Sequence, residues 1–192
     1  MKTLNWIILG VLALIVIGVA FYFIHSQSKT SGNPSAVQDT RTLKTYYDPR
    51  YGIAFNFPDS YTVQEHDSSE GVKLHSINII DKTALANTPK DGEGPPSISI
   101  NIFDNPSKLV TEKWITTTGA SNYNISQNAK LATSTVAGIP ALAYGWDGLY
   151  HGTSLVFPDN GKMYMVSVMY NSPADQIFKD FAGIVASIQF DQ

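Results

Sequence analysis

Hydrophobic and polar positions divide the chain into three stretches. The first is "WIILGVLALIVIGVAFYFI" (6–24), nineteen positions without a charge. As a helix it would be roughly 28 Å long, enough to cross a bilayer's hydrocarbon core. Trp6 and Tyr22 stand where interfacial aromatics belong. The run outlasts the short apolar core of a signal peptide and closes on the bulky "FYFIH", so it predicts an uncleaved anchor. A very short N-terminal tail before a large C-terminal part is the layout of a signal anchor, with the C-terminal domain outside the cytoplasm. Residues 26–44, "SQSKTSGNPSAVQDTRTLK", are polar and without apolar period, a flexible linker. The expected organisation is an N-terminal transmembrane anchor (1–25), a linker (26–44) and one extracytoplasmic domain (45–192).

Within the domain the period is mostly two. "YGIAFNFP" alternates, with Ile53, Phe55 and Phe57 on one face. A turn at Pro58, Asp59 and Ser60 leads to a second strand, "YTVQE". "VKLHSINII" (72–80) puts His75, Ile77 and Ile79 on the face opposite Leu74, Ser76 and Asn78. "TPKDGEGPP" (88–96) is an exposed loop. "SISINIF" (97–103) points Ile98, Ile100 and Ile102 inward. The period then lengthens. "NPSKLVTEKWITTT" (105–118) predicts an amphipathic helix capped by Asn105, with Pro106 in its first turn. Strands return over 129–170, with Asn160 and Gly161 as a two-residue hairpin turn that pairs 152–157 with 163–170. "SPADQIFKDFAGIVASIQF" predicts a second helix, capped by Ser172 with Pro173 in the first turn, and a closing strand at 187–190. The order predicts an α+β fold, an antiparallel β-sheet flanked by helices.

Composition narrows the function classes. The chain is 43% hydrophobic and only 15% charged. Residues 1–44 hold Lys2, Lys29, Arg41 and Lys44 against Asp39, whereas 45–192 hold 9 basic and 15 acidic groups. An acidic domain repels phosphate backbones, so no nucleic-acid partner is expected. No cysteine is present, which excludes disulfides, thiolate metal sites, a cysteine nucleophile and a cysteine-linked lipid anchor.

The segments "YDPRYGIAFNFPDSYTV", "VAGIPALAYGW" and "FKDFAGIVASIQF" together resemble the PsbP-like family. That resemblance implies an α/β/α sandwich and a non-catalytic binding or assembly role, since the family ranges from photosystem II extrinsic subunits to GTPase-binding factors. Tyr61 stands where a tryptophan is common in the family. The anchor and linker are those of an exported, membrane-anchored bacterial version, held in the membrane through residues 6–24 and meeting a protein partner in the cell envelope.

Motifs for catalysis or cofactors are weak. His66, Asp67 and Glu70 could hold a surface metal, but a solvated turn is the simpler reading, and neither metal nor cofactor is expected. The loop at 91–94 offers too few oxygens for calcium. Asp147, His151 and Ser154 are close in sequence and motivate an alternative, a membrane-tethered hydrolase. On a strand, however, His151 and Ser154 face opposite sides. The candidate binding residues are two groups of aromatics: Tyr46, Tyr47 and Tyr51 before the first strand, and Tyr144, Trp146 and Tyr150 near the central hairpin. Exposed aromatics often mark recognition surfaces.

Overall fold

The computed structural model describes residues 41–68, 72–126 and 129–191. The expected anchor and the linker as far as residue 40 lie outside the described residues. Among those described, no helix is long and apolar enough to cross a membrane.

The described residues form ten strands and three α-helices in the order β1 (Leu43–Asp48), β2 (Ile53–Pro58), β3 (Tyr61–Asp67), β4 (Lys73–Asp81), α1 (Lys82–Ala86), β5 (Ser97–Asp104), α2 (Thr111–Thr117), β6 (Ala132–Val136), β7 (Ile139–Asp147), β8 (His151–Asp159), β9 (Lys162–Tyr170), α3 (Gln176–Ala186) and β10 (Gln189–Phe190). They form two antiparallel sheets. One has seven strands in the order β3-β4-β5-β9-β8-β7-β6, and the other has three in the order β1-β2-β10.

Alternation builds the large sheet as the pattern predicts. Ile98, Ile100 and Ile102 of β5 are fully buried and lie opposite Val168, Val166 and Tyr164 of β9. Asn160 and Gly161 both have positive φ, the two-residue turn that joins β8 to β9. A second such turn, at Ala137 and Gly138, joins β6 to β7. Alanine disfavours this conformation, so the sequence did not announce it.

Each face of the large sheet has its own core. On one face its isoleucines and valines pack with Ile53, Phe55 and Phe57 of β2 and with Phe181 and Ile184 of α3. On the other, Phe103, Tyr144, Trp146, Val156, Met163 and Met165 pack with Trp114 and Ile115 of α2. The antiparallel, helix-flanked architecture is therefore present, with a small second sheet that was not expected. β2 pairs with β1 and β10, while β3 pairs with β4, so Pro58, Asp59 and Ser60 carry the chain between sheets. β1 begins at Leu43, ahead of the expected domain start. Its Leu43, Lys44, Thr45 and Tyr47 are all exposed and give no alternation.

Both longer helices start later than predicted. The Asn105 side chain bonds both the amide and the carbonyl of Leu109, at 3.0 Å each. That closes a loop in which Lys108 has φ 49°, and the helix begins only at Thr111. At α3 the Asp175 carboxylate accepts from the amides of Asn171 and Ser172. Pro173 thus sits in a turn ahead of the helix. The closing strand is present but short, and α1, a single turn capped by Asp81, was not predicted.

Candidate functional site

The turn between β1 and β2 packs against the ends of β3 and β4, and five titratable side chains converge there. Asp48 ends β1, and its Oδ1 accepts from the Arg50 amide two residues on, at 2.8 Å. This is the local bond by which aspartate sets a turn. The bond directs the Arg50 guanidinium back over the sheet. Its Nη2 lies 3.0 Å from Asp48 Oδ2, 3.1 Å from Glu65 Oε2 and 3.2 Å from His75 Nε2, and its Nη1 lies 2.9 Å from Asp67 Oδ1. His75 completes the ring: its Nδ1 donates to Asp67 Oδ1 at 2.6 Å. His75 and Asp48 are buried at 1% and 2% exposure, while Arg50, Glu65 and Asp67 reach solvent. Sheet parity explains the histidine, because it shares the inward face with Ile77 and Ile79.

The electrostatics follow from the Arg50 guanidinium and the His75 ring. Burial pushes the Asp48 carboxyl up, but the bonds from the Arg50 side chain and amide outweigh it, leaving Asp48 below the usual range. Asp67 is lowered chiefly by its bond from His75 and then by Arg50. The bond to Asp48, reinforced by Asp67, raises Arg50 above its ordinary value. Donor atoms of Asp48, Glu65 and His75 lie within 4.8 Å of one another, a set able to hold a cation. The cation at their point of convergence is Arg50 itself, which a metal would have to displace.

The first group of predicted aromatics meets here. Tyr46, Tyr47 and the cluster line one cleft of about 340 Å³. Tyr51 stacks on the His75 ring with centroids 5.4 Å apart. Tyr46 stacks on Phe55 at 5.0 Å, and its shielded hydroxyl makes no hydrogen bond of normal geometry. Burial first, and then the neighbouring Glu65 carboxylate, push its pKa above the usual tyrosine value. Tyr47 is 51% exposed, and its hydroxyl donates to Asp191.

The second group is placed differently. Tyr144 and Trp146 are buried in the core beneath α2. Trp146 donates to Ser154 Oγ at 2.9 Å and lies flat against Gly152, where a Cβ would fall 2.1 Å from its ring. Glycine is required by that approach. Tyr150 donates to the Gly94 carbonyl, joining the 88–96 loop to the β7–β8 turn.

The residues behind the hydrolase alternative do not assemble. Asp147 and His151 are paired at 2.6 Å on the surface. Ser154 is completely buried and bonded to Trp146 and Ser167. Asp67, read beside His66 as a possible metal ligand, turns to His75 and Arg50, and Glu70 lies outside the described residues. The residues that sequence reasoning missed are Asp48, Arg50, Glu65 and His75. The one available signal was a histidine sharing an apolar strand face, a position that demands a polar partner.

A large antiparallel sheet with helices on both faces and a short accessory sheet defines an α+β sandwich. The solution structure of cyanobacterial PsbP (CyanoP) from Synechocystis sp. PCC 6803 is similar to it with a TM-score of 0.52 and 14% identity, over 85% of this chain and 99% of that one. The chain has the PsbP-like fold. A crystal structure from Bacteroides thetaiotaomicron matches with a TM-score of 0.44 and 10% identity, over 78% of this chain and 48% of that one. No family model and no curated protein matches the sequence.

Proposed function

We propose that this chain is a membrane-anchored, extracytoplasmic binding or assembly protein without catalytic activity, and that it meets a protein partner of the cell envelope through the β1–β2 turn. The observation that carries this reading is the state of the cluster: all three of its carboxylates are already bonded to Arg50. The guanidinium engages every one of them, while Tyr47 stands exposed beside it. An aromatic at the rim of an acidic patch suits a basic protein surface, because the ring supplies contact area and the carboxylates supply complementary charge. The PsbP-like fold supports a non-catalytic role, and the apolar run at 6–24 supports the anchor.

The test is affinity capture from membranes with the full chain, comparing wild type with the Tyr47→Ala/Tyr51→Ala variant. The reading predicts an envelope protein retained by wild type and lost by a variant that still folds. Equal capture by both would place the contact elsewhere. Turnover of a hydrolase substrate at an enzyme-like rate would overturn the non-catalytic assignment. Protease shaving of intact cells reads the orientation: the domain should be removed.

A further inference from the structure

The large sheet ends in two unlike edges. β3 carries Glu65, His66 and Asp67 in succession, and Arg50 bridges Glu65 and Asp67. Charges on an edge strand discourage a second strand from pairing with it. β6, at the opposite edge, reads "ATSTV", without a charge, a proline or a break in register.

The direction of its backbone groups follows from the turn. A two-residue hairpin closes on a hydrogen-bonded pair, here Val136 and Ile139. Alternation makes Ser134 with Ala141, and Ala132 with Ala143, the next bonded pairs. Pro140, which has no N–H to give, falls opposite Thr135 in a non-bonded pair. The N–H and C=O of Thr133 and Thr135 therefore point away from β7, where no strand, turn or cap among the described residues meets them.

We propose that β6 pairs with β6 of a second copy of this chain, antiparallel about a two-fold axis through Ser134, joining the two large sheets edge to edge. The strand is self-complementary in that register. Thr133 faces the second copy's Thr135, both with outward groups, so each such pair exchanges two hydrogen bonds. Ala132 faces Val136, Ser134 faces Ser134, and the nearby cation Lys130 falls opposite Gly138, so no like charges meet. Thr–Thr pairs across strands are favourable, and a two-fold contact needs this kind of self-matching patch. One short strand makes few bonds, so the pairing is weak and calls for a trapping experiment.

Because the chain has no cysteine, one introduced thiol reports without background. Full-length Ser134→Cys should form a disulfide-linked dimer under mild oxidation on the order of tenfold faster than Lys90→Cys in the exposed loop or Gln64→Cys on β3. Paired strands hold the two thiols at an effective concentration far above bulk. Adding Thr135→Pro removes an outward N–H while sparing the inner ladder; the rate should drop to that of the controls with the melting temperature unchanged. Equal rates in Ser134→Cys and the controls, or a rate insensitive to Thr135→Pro, would overturn the proposal. So would an adduct of the Ser134→Cys variant with a different protein in place of the dimer.

Discussion

Two arginine–aspartate clusters sit on this domain, and they are built for different ends. In the first, Asp180 of α3 is buried and takes a bidentate bond from Arg41, with further bonds from Tyr61 at 2.8 Å and Gln176 at 2.9 Å. One guanidinium and two neutral donors hold this carboxylate inside the fold. The cluster ties the start of the described chain to the last helix. In the second, Asp48 is equally buried, but its guanidinium is 46% exposed and shared with Glu65 and Asp67. Three carboxyl groups around one guanidinium leave an acidic surplus at the surface, next to an exposed tyrosine. A carboxylate buried under three donors holds a fold together; three carboxyl groups sharing one half-exposed guanidinium present charge at the surface.

The contrast is broken most severely at Asp180. Asp180→Ala removes the acceptor that Arg41, Tyr61 and Gln176 share and should cost about 3 kcal/mol, the low end for a buried pair because Arg41 is partly exposed. The midpoint of urea unfolding reads this. Asp48→Ala should cost less, about 1–2 kcal/mol, because Arg50 keeps Glu65 and Asp67. A larger loss at Asp48 than at Asp180 would reverse the assignment of roles.

Acid titration acts on both clusters. Burial opposes the charge on Asp180, yet the bonds from Arg41, Gln176 and Tyr61 leave its carboxyl below the usual range, as Arg50 does for Asp48. A carboxyl lowered in the fold stabilises it fully above the unfolded value, about pH 4, and that stability is lost as pH falls through the folded value. Thermal stability should therefore hold from neutral pH to about pH 5 and drop below about pH 4, and Asp180→Asn should flatten the acid limb more than Asp48→Asn. The tyrosines give the opposite limb. Burial raises Tyr61 and Tyr46, with Asp180 and Glu65 adding to it, and burial also pushes Tyr144 up to about 12. Groups raised in the fold stabilise it below the unfolded value, about pH 10, and lose that stability as pH climbs through the folded one. Ultraviolet titration should show these phenols ionising late, together with alkaline unfolding.

The legibility of the two clusters differs from that of the sheet around them. Strand period and turn chemistry are local, so Ile98, Ile100, Ile102 and the Asn160–Gly161 turn could be read directly. So could the last helix, which buries Phe181 and Ile184. The clusters depend on pairings far apart in sequence, Asp48 with His75 and Arg41 with Asp180, which no spacing rule connects. β1 was invisible for a physical reason: it is an edge strand with four exposed side chains, whose inward face holds only Tyr46 and Asp48. Asn105 read as a helix cap because its chemistry was right, but its amide closed a loop with Leu109 instead. Tyr144 and Trp146 read as candidate binding aromatics by residue type, but they pack in the core beneath α2.

The smallest expected effect on stability separates the clusters most cleanly in function. Tyr47→Ala removes a bond to Asp191 at the surface and should leave the unfolding midpoint nearly unchanged, within about 0.5 kcal/mol, while weakening partner capture. The most direct measurement places a photoreactive phenylalanine analogue at Tyr47, beside the Arg50 cluster, or at Ser60, beside the Asp180 cluster, and irradiates intact cells. The account predicts an adduct with an envelope protein from position 47 and none from position 60. An adduct from position 60 alone, or none from position 47 in folded protein, would contradict it.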